Sequence, residues 1–355
     1  MNPFDENPSQ PRPDQPSDQQ PGSQPAANQP SDTPREESSP ESRRESLDEL
    51  SSRIVVHSPY AAALPGDPPS VTASIPPPPP ANAFLPEDLR VPWSWLHLLF
   101  FGLFAFGSIL AIQIALVVYF NTSRHLSPKE IEQLFQNRPD VAVGSNVLWF
   151  FLIFLFLYVT IAVLQKLPFW LTFGWKKLGI NPDWPVSPWV YLAGGAGLAV
   201  CVAIASTKIK TPEHLPIQEL FKNRTGAFLL MGMAVLIAPL VEETVFRGYL
   251  YPLFASTSAR LARHFGFDPD SAVQTGTRAG IVLTGVLFGF LHGAQLGWTW
   301  ALVAVLSTVG IVFTFVRARA RSVFASYLLH LGYNSFIAFS AIFSTRFFTH
   351  MPPHP

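Results

Sequence analysis

A series of apolar stretches, each close to the roughly 20 residues that a helix needs to cross a bilayer, constrains this chain more than any other feature. They run from about Trp95 to Phe120, Ser145 to Leu164, Pro188 to Ser206, Gly226 past Val241, Thr277 to Leu291, Trp298 to Val316 and Val323 to Phe343. Lipid offers no hydrogen-bond partner to a bare backbone, so such segments must be helices. The alternation of a membrane barrel is absent. The expected fold is all-α, a polytopic transmembrane helix bundle of about seven to eight spans. Its expected location is a membrane, crossed several times (the cell membrane in a bacterium).

The chain is neutral overall and only 14% charged, against about 25% for an average soluble chain. That neutrality hides two unlike parts. Residues 1–90 hold 14 acidic and 6 basic side chains and 20 of the 35 prolines. From residue 91 onward there are 10 acidic and 18 basic side chains, all 9 Trp and 28 of the 30 Phe. The first part cannot bury enough apolar surface to offset the entropy of ordering it. It reads as a disordered, Pro-rich tail. The five prolines ending at Pro80 favour an extended spacer. A proline-reading domain is a candidate partner there, and a plain linker is the simpler reading. The first 50 residues hold no apolar core of the kind a signal peptide needs. The expected division is a tail at 1–90, a first membrane helix with a polar connection at 91–140, a membrane core at 141–345 and a short end at 346–355.

Trp93, Trp95, Trp149, Trp189, Trp298 and Trp300 fall near segment ends, where interfacial anchors belong. Phe169 to Leu178 is short and aromatic, suited to lying in the membrane surface. Basic flanks lie on both sides and do not decide orientation; the expectation leans to a cytoplasmic N-terminal tail. The single cysteine, Cys201, can form no intramolecular disulfide and no Cys-based metal site, and is expected to be a packed small residue.

Of the ten acidic residues after position 90, eight sit in polar connections. Only Glu242 and Glu243 are embedded in an apolar run, with Arg247 just beyond. A charge near the membrane centre costs about 2.5–3.5 kcal/mol on insertion scales, so three together point to a shared polar site. Glu243 and Arg247 are four apart and can pair on one helix face. Glu242 points about 100° away around the axis. The simplest division is that Arg247 holds Glu243, while Glu242 faces a reaction site unpaired. His292 ends one apolar segment. His330 and Asn334 share one face of another. Each of these alone reads equally well as interhelical glue, and Phe288 alone as packing. Their concurrence on three segments changes the balance.

A carboxylate and a histidine can orient and deprotonate a water, and a second histidine with an asparagine can supply donors to an oxyanion. Together they describe hydrolysis of a carbonyl compound, most naturally a peptide bond. There is no Gly-x-Ser-x-Gly elbow and no His-Glu-x-x-His zinc helix. The residue types serve two chemistries equally: zinc on Glu242, His292 and His330 with an open position, or water activated by Glu and His alone.

Three elements stand in order: Glu242-Glu243-x-x-x-Arg247, Phe288-x-x-x-His292 and His330-x-x-x-Asn334. At these residues the sequence resembles the CPBP (Abi) family, which includes type II CAAX prenyl endopeptidases and bacteriocin-processing or immunity proteins. The resemblance spans roughly residues 145–345. It implies a bundle of about eight membrane helices around a water-filled cavity. It implies Glu242 as the base, His292 positioning the water, His330 and Asn334 as oxyanion donors, and Glu243 with Arg247 as support. Members are described as metalloendopeptidases, and a metal-free glutamate mechanism has also been argued for the fold. The substrate implied is a membrane-embedded or lipid-anchored peptide, with prenylated CAAX proteins one option. Nothing points to nucleic acid. The rival readings are a proton-coupled transporter, which would show an internal repeat not seen here, and a non-catalytic immunity or scaffold protein.

Overall fold

The computed structural model describes residues 82–179, 181, 184, 187–209 and 224–348. Among these there are helices and turns and no strand. We label the helices α1 (Trp95–Arg124), α2 (Pro128–Asn137), α3 (Pro139–Leu164), α4 (Phe169–Thr172), α5 (Pro188–Ser206), α6 (Arg224–His264), α7 (Pro269–Leu291), α8 (Trp300–Ala320) and α9 (Val323–Ser344). The tail before residue 82, its proline run included, lies outside the described residues.

Helix starts follow the local chemistry. Ser127 and Glu130 form a capping box at α2, with Pro128 in the first turn. Asp268 accepts from the N–H groups of Asp270 and Ser271 ahead of α7. Ser322 accepts from Phe324 N–H ahead of α9.

Five helices are long and apolar enough to cross a membrane: α1, α3, α5, α6 and α8. The chain is a multi-pass membrane protein. Helices stand at all seven expected places, but α7 and α9 fall below that level of apolarity among the described residues. They are 23 and 22 residues long and carry Arg278, His330 and Asn334 with several Ser, Thr and Gly. Such composition suits close helix–helix packing along one face. The α5–α9 crossing shows it: a Cβ on Gly195 would collide with the Leu329 carbonyl, and one on Gly332 with the Leu192 carbonyl. Only hydrogen fits between these backbones.

α6 is 41 residues long and is not a uniform α-helix. It widens to π geometry at Met233–Ile237 and Glu243–Leu250. Each wide stretch ends just before a proline, Pro239 and Pro252. Proline lacks the N–H that would continue the ladder, and its ring presses on the preceding turn. The helix responds by lengthening its reach: Ala238 N–H bonds to Met233 O, and Tyr251 N–H to Phe246 O, each five residues back.

Three expectations change here. Residues 82–90, assigned by composition to the tail, pack on the bundle, with Leu85 1% and Leu89 2% exposed. Two leucines one turn apart seat the segment. Its acids find cations across the fold: Asp88 meets Arg317 at 3.3 Å and Glu87 meets Lys176 at 3.0 Å. Trp93 is also not an interfacial anchor: it is buried, and its indole N–H donates to Tyr249 O at 3.2 Å. Trp95, Trp189, Trp298 and Trp300 are exposed at helix ends, as anchors should be. Cys201 is exposed on α5 rather than packed.

Candidate active site

The charged run of α6 lies where the helix passes from α to π geometry. Glu242 closes the α stretch and Glu243 opens the π stretch. Arg247 donates through one terminal nitrogen to Glu243 Oε1 at 3.0 Å and through the other to Gly310 O at 3.0 Å. Both side chains of the pair are 0% exposed. Three aromatic rings surround the guanidinium: Phe288 at 4.5 Å, Phe313 at 5.3 Å and Phe246 at 5.7 Å. A buried ion pair seldom repays its desolvation by itself, and here a carbonyl and ring faces share the load. Gly310 is reachable because α7 and α8 nearly touch. A Cβ at Gly310 would lie 2.7 Å from Gly285 O.

His330 extends this pair toward Glu242. Its Nδ1 lies 3.0 Å from Glu243 Oε1, which sets Nδ1 as the protonated nitrogen. Its Nε2 lies 3.2 Å from Asn334 Nδ2, and the same amide nitrogen donates to Ala234 O at 2.7 Å. The Phe313 ring packs on the imidazole with centroids 4.7 Å apart.

Across the site, His292 Nδ1 donates to the Phe288 carbonyl at 2.7 Å. The partner fixes the tautomer: Nε2 keeps its lone pair and faces Glu242 Oε1 at 3.9 Å. The other Glu242 oxygen is 3.8 Å from His330 Nε2. These separations exceed a direct hydrogen bond and leave room for a bridging water. The Glu242 side chain is 16% and that of His292 19% exposed, against 4% for His330 and none for Glu243 and Arg247. The two groups suited to meeting a water are therefore the more open ones of the five.

The structure thus brings all six sequence candidates, Glu242, Glu243, Arg247, His292, His330 and Asn334, into one contiguous network. The Glu243–Arg247 pairing is the one expected from their spacing. Phe288, read from sequence as packing, is a hub: its carbonyl orients His292 and its ring covers Arg247. Three participants had no sequence signal, namely Phe313 and the carbonyls of Gly310 and Ala234.

The donor set does not fit the three-ligand zinc site that the residue types allowed. His330 has Nδ1 on Glu243 and Nε2 receiving from Asn334. That leaves only Glu242 and His292 with free lone pairs, one short of the usual three protein ligands. Among the described residues no group of three His, Cys, Asp or Glu side chains is arranged to hold a metal ion.

Residues 224–336 match a family described as Rce1-like, "Type II CAAX prenyl endopeptidase Rce1-like". This is the family the three motifs resemble, and it is a protease family. The matched stretch contains all six candidates and covers α6 to most of α9, leaving α1 to α5 outside it. No curated protein and no solved structure gives a significant match.

Proposed function

We propose that the protein is an intramembrane endopeptidase that hydrolyses peptide bonds of membrane-embedded or lipid-anchored substrates, prenylated CAAX-type chains among them. The water it uses is activated between Glu242 and His292. The observation that carries this reading is the pair of acceptors, Glu242 Oε1 and His292 Nε2, held 3.9 Å apart on partly open side chains.

A water between them donates one hydrogen to each and turns a lone pair outward. As the oxygen attacks the scissile carbonyl carbon, Glu242 takes the proton and then passes it to the departing amine. Atoms and charge balance with no covalent enzyme intermediate. The developing oxyanion needs donors. Asn334 Nδ2 and His330 Nε2 are 3.2 Å apart, so one oxygen can lie within reach of both. His330 accepts from Asn334 in the free protein. Asn334 supplies its N–H to that oxygen, and His330, anchored through Nδ1 on Glu243, fixes where the amide sits. Arg247 keeps Glu243 in place and takes no part in proton transfer.

The test is cleavage of a membrane-anchored peptide by purified protein in vesicles. His292→Ala is expected to lower turnover by about 100-fold or more, while insertion and unfolding temperature stay at wild-type values. Near-normal turnover by a correctly inserted His292→Ala protein would refute the assignment. Prolonged chelation is expected to leave turnover within twofold of the untreated protein, because the site lacks a third free ligand. Loss of activity on chelation with recovery on adding Zn²⁺ would overturn the metal-free reading.

A further inference from the structure

We propose that Pro239 is a positioning residue that holds Asn334 in its working orientation by leaving a backbone carbonyl free for it. This deepens the peptidase reading above and rests on it for its kinetic consequence. In a continuous helix Ala234 O would receive the N–H of residue 238 in α register or of residue 239 in π register. Neither is available. Ala238 N–H bonds to Met233 O, and residue 239 is proline, which has no N–H. The Ala234 carbonyl instead accepts from Asn334 Nδ2 at 2.7 Å, across from α6 to α9. That bond identifies which end of the Asn334 amide is nitrogen, since the carbonyl oxygen of the amide could not donate to Ala234 O. It also aims the second N–H of the same nitrogen toward His330 Nε2, 3.2 Å away.

The proline therefore acts at a distance from the chemistry. It opens one acceptor on α6, the acceptor sets one amide on α9, and the amide presents its remaining hydrogen to the site. An N–H at position 239 would compete with Asn334 for Ala234 O. Asn334 would then gain rotational freedom, and misplacement of a positioned donor by about 1 Å can cost about 100-fold in rate.

The experiment uses the full chain, labelled with ¹⁵N-asparagine, in detergent micelles or nanodiscs. The Asn334 side-chain amide signal is identified by its loss in Asn334→Asp. Pro239→Ala, with Pro239→Gly as a second way to restore the N–H, is expected to speed solvent exchange of that amide about fivefold or more. In the peptide-cleavage assay Pro239→Ala is expected to lower kcat about tenfold or more with KM within twofold. In an Asn334→Asp background, where no amide hydrogen can reach Ala234 O, Pro239→Ala is expected to cause no further fall. Unchanged amide exchange in both proline variants would overturn the proposal, as would an equal kcat loss in the Asn334→Asp background. A wild-type protein without peptidase activity would count against the proposed function instead, and the exchange rate would still decide the positioning.

Discussion

Glu242→Gln abolishes turnover: the expected fall in kcat is about 10²–10⁴-fold, the range over which a positioned general base contributes. Glutamine keeps the length and hydrogen-bonding reach of the side chain, so α6, its π segments and the Glu243–Arg247 pair should persist. What it removes is the ability to take a proton from water at Oε1 while His292 Nε2 orients the same molecule 3.9 Å away. KM should change little, because glutamine keeps the size and shape of the side chain at the site. Single-turnover cleavage, with substrate binding measured separately, distinguishes a lost chemical step from lost affinity. A variant that binds normally and still cleaves within tenfold of wild type would remove Glu242 from the role of base.

A second large effect falls on stability. Arg247→Met is expected to destabilise the protein by about 3–5 kcal/mol, the usual consequence of stripping one partner from a buried ion pair. Glu243 would stay fully buried, and the Gly310 carbonyl would lose one of its two side-chain donors, keeping the Thr314 hydroxyl. Replacing both partners, as Glu243→Leu with Arg247→Met, should recover most of that loss, since a well-packed apolar pair often equals a buried ion pair. Activity should not recover with it, because His330 Nδ1 then has no carboxylate. Unfolding followed by far-UV circular dichroism in detergent, beside the cleavage assay, separates the two readouts. A double variant as unstable as Arg247→Met, or one that regains turnover, would contradict this division between support and chemistry.

Much of this was legible in the residues because the bilayer narrows the choices. Lipid forbids unpaired backbone, so apolar length alone locates the helices. A costly charge in such a helix marks a polar site. Helical spacing separates Glu243, paired with Arg247, from Glu242, which faces the histidines. What was not legible is of three physical kinds. Backbone acceptors have no side-chain signature, so the carbonyls of Gly310, Ala234 and Phe288 emerged only with the packing of α6 to α9. Composition averages over a window, so it assigned residues 82–90 to the polar tail, although Leu85 and Leu89 are spaced to bury together and Asp88 has Arg317 waiting across the fold. Proline warns of an irregular helix, but the π widening before Pro239 and Pro252 depends on where the ladder can shift. Residue type also says nothing of how each lone pair is engaged: His330 Nε2, a candidate ligand by type, lies 3.2 Å from Asn334 Nδ2.

The most direct test of the central claim follows the oxygen. Purified wild-type protein and Glu242→Gln are reconstituted in vesicles with a lipid-anchored peptide in H₂¹⁸O, and the products are read by mass spectrometry. A base-activated water predicts a new carboxyl terminus carrying one ¹⁸O from wild type, product from Glu242→Gln lower by about 10²–10⁴-fold, and no peptide mass added to the protein at any time. Equal cleavage by both proteins, or a peptide adduct trapped on the chain, would contradict it.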